Sequence, residues 1–296
     1  TYPEDKLERA SVQYSVPDWM LKQWIGDYGY DTAIQMAESY LEESPLSVRC
    51  NFNKIRKEDL LELLHEEGVH TEEVPGMENA LYLSEYDHLA GLDSFRKGYY
   101  QVQDVSSMQV AAWADPKEDD YIIDVCAAPG GKSLHAAELL KGTGHVEARD
   151  LTDYKVNLIR ENISRSGLKN IEAVRWDATV LDEASIGKAD IVIADLPCSG
   201  LGVLGRKPDL KYKMTKKAQK ELEQIQRNIL GVVQGYVKPG GKLVYSTCTV
   251  NRAENKENAR WFMKAFPEFT LVKEEQRIPG NEVGDGFYIA LFQRKE

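Results

Sequence analysis

From Tyr121 to Ala265, apolar runs of strand length alternate with longer segments of helical period. This alternation restricts the fold more than any other feature of the chain. Strands are expected at 121–125, 145–149, 171–176, 189–194 and 242–246, and helices at 133–141, 153–166, 215–237 and 254–265. Strands separated by helices cannot pair as hairpins. They pair in parallel with helices on both faces, as a doubly wound, Rossmann-like α/β sheet. The end breaks the rhythm: Phe269–Val272 and 286–293, the latter opened by Gly284-Asp285-Gly286, read as a terminal strand pair. Ligands of such sheets bind beyond the carboxyl ends of the strands, so the residues that follow each strand carry the functional information.

The chain ahead of this region divides in two. Residues 1–45 read as helical, with Trp19, Met20, Trp24 and Ile25, then Ala33, Ile34, Ala37, Tyr40 and Leu41, at helical spacing. The simplest use of that stripe is core. Residues 46–100 change pattern: a strand at 46–51, a helix at 57–67 closed by Gly68, and strands at 69–74 and 80–84. This is a small α+β module of the RNA-recognition-motif (RRM-like) kind, without a clear aromatic RNP signature. Residues 95–110 read as a junction into a helix at 107–114, and 101–296 as the main domain.

Composition excludes several classes. No apolar run reaches the length of a membrane span, and the first residues, Thr1 to Lys6, are not those of a signal peptide. The absence of an initial Met leads us to expect a piece of a longer product. Four cysteines, at 50, 126, 198 and 248, form no CxxC pair and no zinc-spaced cluster with His. They are expected to be free thiols of a cytoplasmic protein, with no metal. Cys50 and the five His residues have no role that the sequence supports. The net charge of −11 argues against a general nucleic-acid binder. Yet Arg206, Lys207, Lys211, Lys213, Lys216, Lys217 and Lys220 face only Asp209 in one stretch. Such a stripe is either a solvated helix face or a footprint for phosphate. A monomer is the default expectation.

The first strand–helix turn runs Cys126-Ala127-Ala128-Pro129-Gly130-Gly131-Lys132-Ser133. Its small residues let a ligand approach the backbone at a helix start. Gly131-Lys132-Ser133 fits the end of a phosphate-binding P-loop. However, the first Gly of that motif would fall at Cys126, and Pro129 removes an amide that would cradle phosphate. An adenosyl cofactor without pyrophosphate needs instead an acid after the second strand for its ribose. Asp150 stands there, Asp177 follows the third strand, and Asp195 the fourth. Each alone could be a turn or cap residue; three at consecutive strand ends behind a small-residue loop suggest a site.

Two thiols complete the pattern. Asp195-Leu196-Pro197-Cys198-Ser199-Gly200 and Ser246-Thr247-Cys248-Thr249 each place a Cys just past a strand, and adjacent strands would bring both over one cleft. A buried structural pair is the alternative. A thiol, an acid and a sulfonium methyl donor suit one reaction well: a thiolate that adds to C6 of a pyrimidine makes C5 nucleophilic enough to accept a methyl group.

These motifs resemble the RNA 5-methylcytosine methyltransferases of the Sun/NSUN type, with the nearest likeness to bacterial enzymes acting on small-subunit ribosomal RNA. The likeness covers nearly the whole chain. Its strongest pieces are Asp124–Ser133, Asp195–Gly200, Gly205–Tyr212, Ser246–Thr249 and Gly284–Tyr288; Pro45–Asn51 and Gln103–Gln109 are weaker. Leu196 departs from the family's usual Ala or Val. The resemblance implies a class I S-adenosylmethionine-dependent methyltransferase domain behind an RRM-like module. It implies S-adenosyl-L-methionine held by Cys126, Ala127, Ala128, Pro129, Gly130, Gly131, Lys132, Asp150, Asp177 and Asp195. It makes Cys248 the nucleophile and Cys198 the residue that assists release, with Asp195 and Lys132 positioning and polarising the cytosine. It also turns the basic stripe toward RNA, with Arg206, Lys207, Lys211 and Lys213 as backbone contacts. Ribosomal RNA is the expected substrate, with transfer RNA a further option, the target being a single-stranded or loop cytosine. Relatives carry an additional NusB-type helical domain upstream, which nothing in this chain matches. A P-loop nucleotide hydrolase, and an RNA-binding assembly factor with a vestigial cofactor fold, are the competing expectations.

Overall fold

The computed structural model describes residues 3–281 and 284–296; Thr1 and Tyr2 of the expected helical segment, together with Glu282 and Val283, lie outside the described residues. Three helices come first: α1 (Lys6–Tyr14), α2 (Asp18–Tyr28) and α3 (Tyr30–Ser39). Asp5 starts α1 by accepting the N–H groups of Leu7 and Glu8. Gly29 divides α2 from α3 at a φ of 85°, which a side chain would resist. Met20, Leu21, Trp24, Ala33, Met36 and Ala37 are buried as the stripe predicts, and the core they join includes Leu201, Leu204 and Val250 of the main domain.

The second unit contains β1 (Leu46–Cys50), α4 (Lys57–Glu66), β2 (His70–Glu73), β3 (Ala80–Ser84), the one-turn helix α5 (Asp93–Arg96) and β4 (Tyr100–Val102). Its sheet has the order β2-β3-β1-β4, with every pair antiparallel. The fourth strand lies where the sequence suggests a junction. Three residues are too few to display alternation, and β4 is recognisable only by its pairing with β1. Buried Arg49 fastens the unit to the rest: Nε donates to Gln103 Oε1 at 2.8 Å, and Nη1 pairs with Glu138.

The main domain opens with α6 (Val105–Ala114) and β5 (Tyr121–Asp124). It continues through α7 (Gly131–Leu139), β6 (His145–Asp150), α8 (Asp153–Ser166), β7 (Ile171–Arg175), β8 (Ala189–Asp195), α9 (Leu210–Lys213), α10 (Lys216–Val233), β9 (Val237–Thr247), α11 (Lys256–Ala265), β10 (Phe269–Arg277) and β11 (Phe287–Arg294). The sheet order is β10-β11-β9-β8-β5-β6-β7. The five strands β9 to β7 are parallel, and β11 runs antiparallel to both β9 and β10. Strand alternation divides the apolar residues between two layers: Ile123, Val192, Tyr245 and Phe292 cluster with Phe262 of α11, whereas Ile122, Ile193 and Val244 cluster with Leu134 and Ile159. The chain leaves β5 toward β7, then returns across it to β8 and β9. The switch point is therefore the carboxyl end of β5, where a crevice opens in such sheets.

Candidate active site

Both cysteine motifs leave neighbouring strands. The register pairs Asp195 with Ser246, and Leu196 N–H donates to Ser246 O at 3.0 Å, so the segments that follow depart side by side. Cys198 Sγ and Cys248 Sγ end 3.4 Å apart, both half-buried and both free. The hydrogen bond between them, with Cys198 donating, holds the Cys248 thiol below the ordinary thiol range, and Lys132 and Lys207 add to this against burial and Asp195. The same bond, with burial, pushes Cys198 up. One member of the pair is thus disposed to be a thiolate and the other to keep its proton.

Lys132 Nζ lies 2.7 Å from Asp195 Oδ2, whose other oxygen accepts Ser246 Oγ–H at 2.7 Å. Burial opposes the ammonium, but Asp195 more than offsets it and holds Lys132 above the ordinary lysine range. Lys132, Asp195 and Cys248 share a cleft of about 360 Å³ with Ala127, Ala128 and Pro129. A larger cavity of 920 Å³ beside Met77, Met108 and His135 contains none of the strand-end acids or thiols.

The small-residue turn is built to fit a cofactor. Gly130 sits at φ 110° and Gly131 begins α7. Beneath it Asp124 is fully buried; one oxygen accepts Ser133 Oγ–H at 2.6 Å, and the other has no partner among the described residues. Burial pushes Asp124 up to about 7. A crevice floored by small residues, with the Asp195 carboxylate in its lining, suits a ligand that carries an ammonium and a sulfonium. S-adenosyl-L-methionine fits that description.

The other expected cofactor acids are occupied in this structure. Asp150 accepts the N–H groups of Ala128 (3.0 Å) and Leu151 (2.8 Å) and pairs with Lys155 at 3.1 Å, so it ties the turn to β6. Asp177 accepts from Thr179 N–H and Oγ1. Neither lines the 360 Å³ cleft, and nor does Cys126, which packs against the core and is pushed up by burial.

The basic stripe needs correction. Lys211 is only 5% exposed, because α9 turns it inward, and burial lowers its ammonium; it is no surface contact for RNA. Arg206 is held by Asp104 (3.3 Å) and Asp285 (3.0 Å) at the cleft, and Lys213 pairs with Asp209 at 2.9 Å on the surface. Lys207 alone of the four lines the cleft with no carboxylate partner among the described residues.

Several residues that the motifs do not single out hold the two thiol loops together. Buried Glu254 accepts Ser199 N–H (2.8 Å), Ser199 Oγ–H (2.5 Å), Gln226 Nε2 (3.0 Å) and Asn251 Nδ2 (2.8 Å). The density of polar residues in Asn251-Arg252-Ala253-Glu254-Asn255, just after Cys248, is the one signal of this in the sequence. The N-terminal helices add Tyr40 OH to Leu201 O and Tyr28 OH to Val250 O, both 2.6 Å. Gly202 is needed for a different reason: its N–H donates to Cys248 O, and a Cβ there would overlap Gly286 O.

Sheet order, switch-point crevice and strand-end acids together define a class I S-adenosylmethionine-dependent methyltransferase. Residues 111–293 match the family model described as 16S rRNA methyltransferase RsmB/F, and residues 16–88 match its RsmF/B-like ferredoxin-like domain. The chain therefore belongs to the RsmB/F family. It is 39% identical over 278 residues to the Bacillus subtilis (strain 168) protein named "Probable ribosomal RNA small subunit methyltransferase B", covering 93% of this chain and 62% of that one. It is 30% identical over 292 residues to ribosomal RNA small subunit methyltransferase B of Klebsiella pneumoniae subsp. pneumoniae, covering 96% and 67%. Among solved structures, PH0851 superposes with a TM-score of 0.94 at 29% identity, over 99% of this chain and 69% of that one. NSun6 from Pyrococcus horikoshii with SFG shares the fold at a TM-score of 0.87 and 24% identity, over 95% and 98%. Among the described residues, no helix is long and apolar enough to cross a membrane, and no group of His, Cys, Asp or Glu could hold a metal ion.

Proposed function

We propose that this chain transfers a methyl group from S-adenosyl-L-methionine to C5 of a cytosine in ribosomal RNA, through a covalent bond between Cys248 Sγ and C6. The observation that carries this reading is the pair of thiols 3.4 Å apart, one of them in the cleft beside Lys132 and Asp195. Ala127, Ala128, Pro129 and Gly131 of the turn, which Asp150 ties to β6, would hold S-adenosyl-L-methionine beside Asp195, and the bound cofactor would supply an electrophilic methyl group. The Cys198 hydrogen bond and the nearby lysines stabilise the Cys248 thiolate, which adds to C6. Lys132 donates to the acceptor edge of the base and draws electrons from the ring, and Asp195 accepts from its amino group and holds the ring in place. C5 would then take the methyl group, the broken S–CH3 bond leaving its electron pair on the sulfur of S-adenosylhomocysteine. Once Cys248 is a thioether, the charge that keeps Cys198 protonated is gone. Cys198 then gives up its own proton to solvent and as a thiolate takes the C5 proton, and the C6–S bond breaks with its electron pair returning to Cys248. The target base leaves its stack to reach the thiols. Lys207, with Arg206 and Lys213 near it, contacts the backbone, and the enzyme acts as a cytoplasmic monomer.

The test uses a small-subunit ribosomal RNA transcript and labelled cofactor. Cys198→Ala should accumulate a protein–RNA adduct stable to denaturing electrophoresis. Cys248→Ala should neither methylate nor trap; full activity in that variant refutes the mechanism. Mapping 5-methylcytosine in the product separates ribosomal from transfer RNA targets.

A further inference from the structure

A groove of about 450 Å³ lies between α2 and the first turns of α10. Lys22 enters it from α2, and Lys216, Gln219, Lys220 and Glu223 from α10; Asn251 closes it from the loop after Cys248. The three lysines are exposed, and none has an ion pair or hydrogen-bond partner among the described residues. The acid does not neutralise them, because Glu223 is taken by Arg227 at 2.6 Å. Gln219 is only 7% exposed, and its Nε2 has no partner among the described residues. A buried amide donor without an acceptor is costly unless a ligand supplies one, and the end of the side chain can turn about its last bond to present either atom. Thr215 Oγ1 accepts Ala218 N–H at 3.1 Å and leaves the N–H groups of Lys216 and Lys217 at the open, positive end of an 18-residue helix. Three unpaired cations, a spare amide donor and a helix N-terminus all ask for an anion.

We infer that this groove binds a backbone phosphate of the RNA substrate and thereby registers the strand on the catalytic loops. The inference rests on the RNA methyltransferase reading above. The lysines lie along the rim of an open groove, as suits a phosphodiester within a chain. The groove is also mechanically joined to the thiols. Gln23 Nε2 donates to Asn251 Oδ1 at 2.9 Å, Asn251 Nδ2 donates to Glu254, and Glu254 holds Ser199 beside Cys198. A phosphate seated here is held at a set position relative to Cys198 and Cys248. It also gives the N-terminal helices a part in substrate contact through Lys22, in addition to their packing.

The test compares the whole chain with a Lys22→Ala/Lys216→Ala/Lys220→Ala variant and, separately, Gln219→Glu. RNA affinity is read over a salt series with a small-subunit ribosomal RNA transcript, alongside steady-state methyl transfer and cofactor binding by calorimetry. In the triple variant, Kd and KM for RNA should rise on the order of tenfold or more, and the salt slope should flatten by about 0.7 for each phosphate that is no longer neutralised. The value of kcat and the cofactor affinity should not change, which also shows that the variant is folded. Gln219→Glu should weaken RNA binding in the same direction by placing a carboxylate in the groove. Unchanged KM and salt slope in the triple variant, while the wild type methylates RNA, overturns the site alone. Inorganic phosphate competing as strongly as the RNA overturns the assignment to a nucleic-acid backbone. A wild type that binds no RNA overturns both this site and the reading on which it rests.

Discussion

Replacing Glu254 by Gln should loosen the site without removing any group that touches substrate. The carboxylate accepts four hydrogen bonds at 2.5–3.0 Å from Ser199, Gln226 and Asn251, and it is fully buried. Gln keeps the shape and one acceptor oxygen but turns a donor toward two of those four donors. Ser199 Oγ can adapt, since it also lies 2.8 Å from Thr249 Oγ1 and can donate there instead. Asn251 cannot turn over as easily, because its Oδ1 already accepts from Gln23 Nε2 and Ala253 N–H. One buried donor is left facing another, at a cost of about 1–3 kcal/mol. Glu254→Ala strands Ser199 N–H and Asn251 Nδ2, while Ser199 Oγ keeps Thr249 Oγ1 and Gln226 Nε2 keeps Pro197 O, and should cost about 2–6 kcal/mol, from about 1–3 for each stranded donor, a large share of a domain's stability. Urea unfolding followed by Trp fluorescence measures both. Methyl transfer should fall in the Gln variant, because Ser199 and with it Cys198 are no longer held at 3.4 Å from Cys248. If both variants unfold within about 0.5 kcal/mol of wild type, a range usual for surface substitutions, Glu254 does not hold the loops and the reasoning fails.

Two further outcomes follow from the titrating groups. The hydrogen bond from Cys198 is the largest influence lowering the Cys248 thiol, so Cys198→Ala should shift the pH dependence of Cys248 alkylation to higher pH; an unshifted profile removes Cys198 as the activating group. Asp124 is raised from 3.8 to about 7 chiefly by burial, so what it contributes to stability is present below about pH 4 and lost as pH rises through 7. Between those limits the cofactor-free wild type should lose up to about 4 kcal/mol relative to Asp124→Asn, from about 1.36 kcal/mol per unit, as read by denaturation at the two ends; parallel profiles refute it.

Much of the architecture is legible in the sequence because it rests on local periodicity. The helix expected at 153–166 is α8, Asp153–Ser166, and the terminal strand pair is the β10–β11 hairpin. Strand β9 is longer than its apolar pattern suggests, because Lys238-Pro239-Gly240-Gly241 does not alternate. That stretch interrupts the ladder, and the pairing with β8 jumps across it from Ala189–Val237 to Ile191–Lys242. Strand β4 and the true place of the N-terminal helices are hidden because neither is set by residues nearby in the chain. The basic stripe misleads for a related reason. A run of cations shows charge but not direction, and the single turn α9 sends Lys211 inward while Lys207 reaches the cleft.

Local sequence is enough to set the order of strands and helices, the chemistry available at each strand end, and the family likeness of the two Cys motifs. Those are properties of neighbouring residues, and period, turn chemistry and motif spacing report them directly. The lowering of the Cys248 thiol arises in three dimensions, because Cys198, Lys132 and Lys207 converge on it from separate stretches. The same holds for Asp150 tying down the turn and for Glu254 joining the Cys loops. Folding also brings Lys22 of the first helices beside Lys216 and Lys220 in one groove. Electrostatic and hydrogen-bond energies depend on distance in space, which separation along the chain does not report.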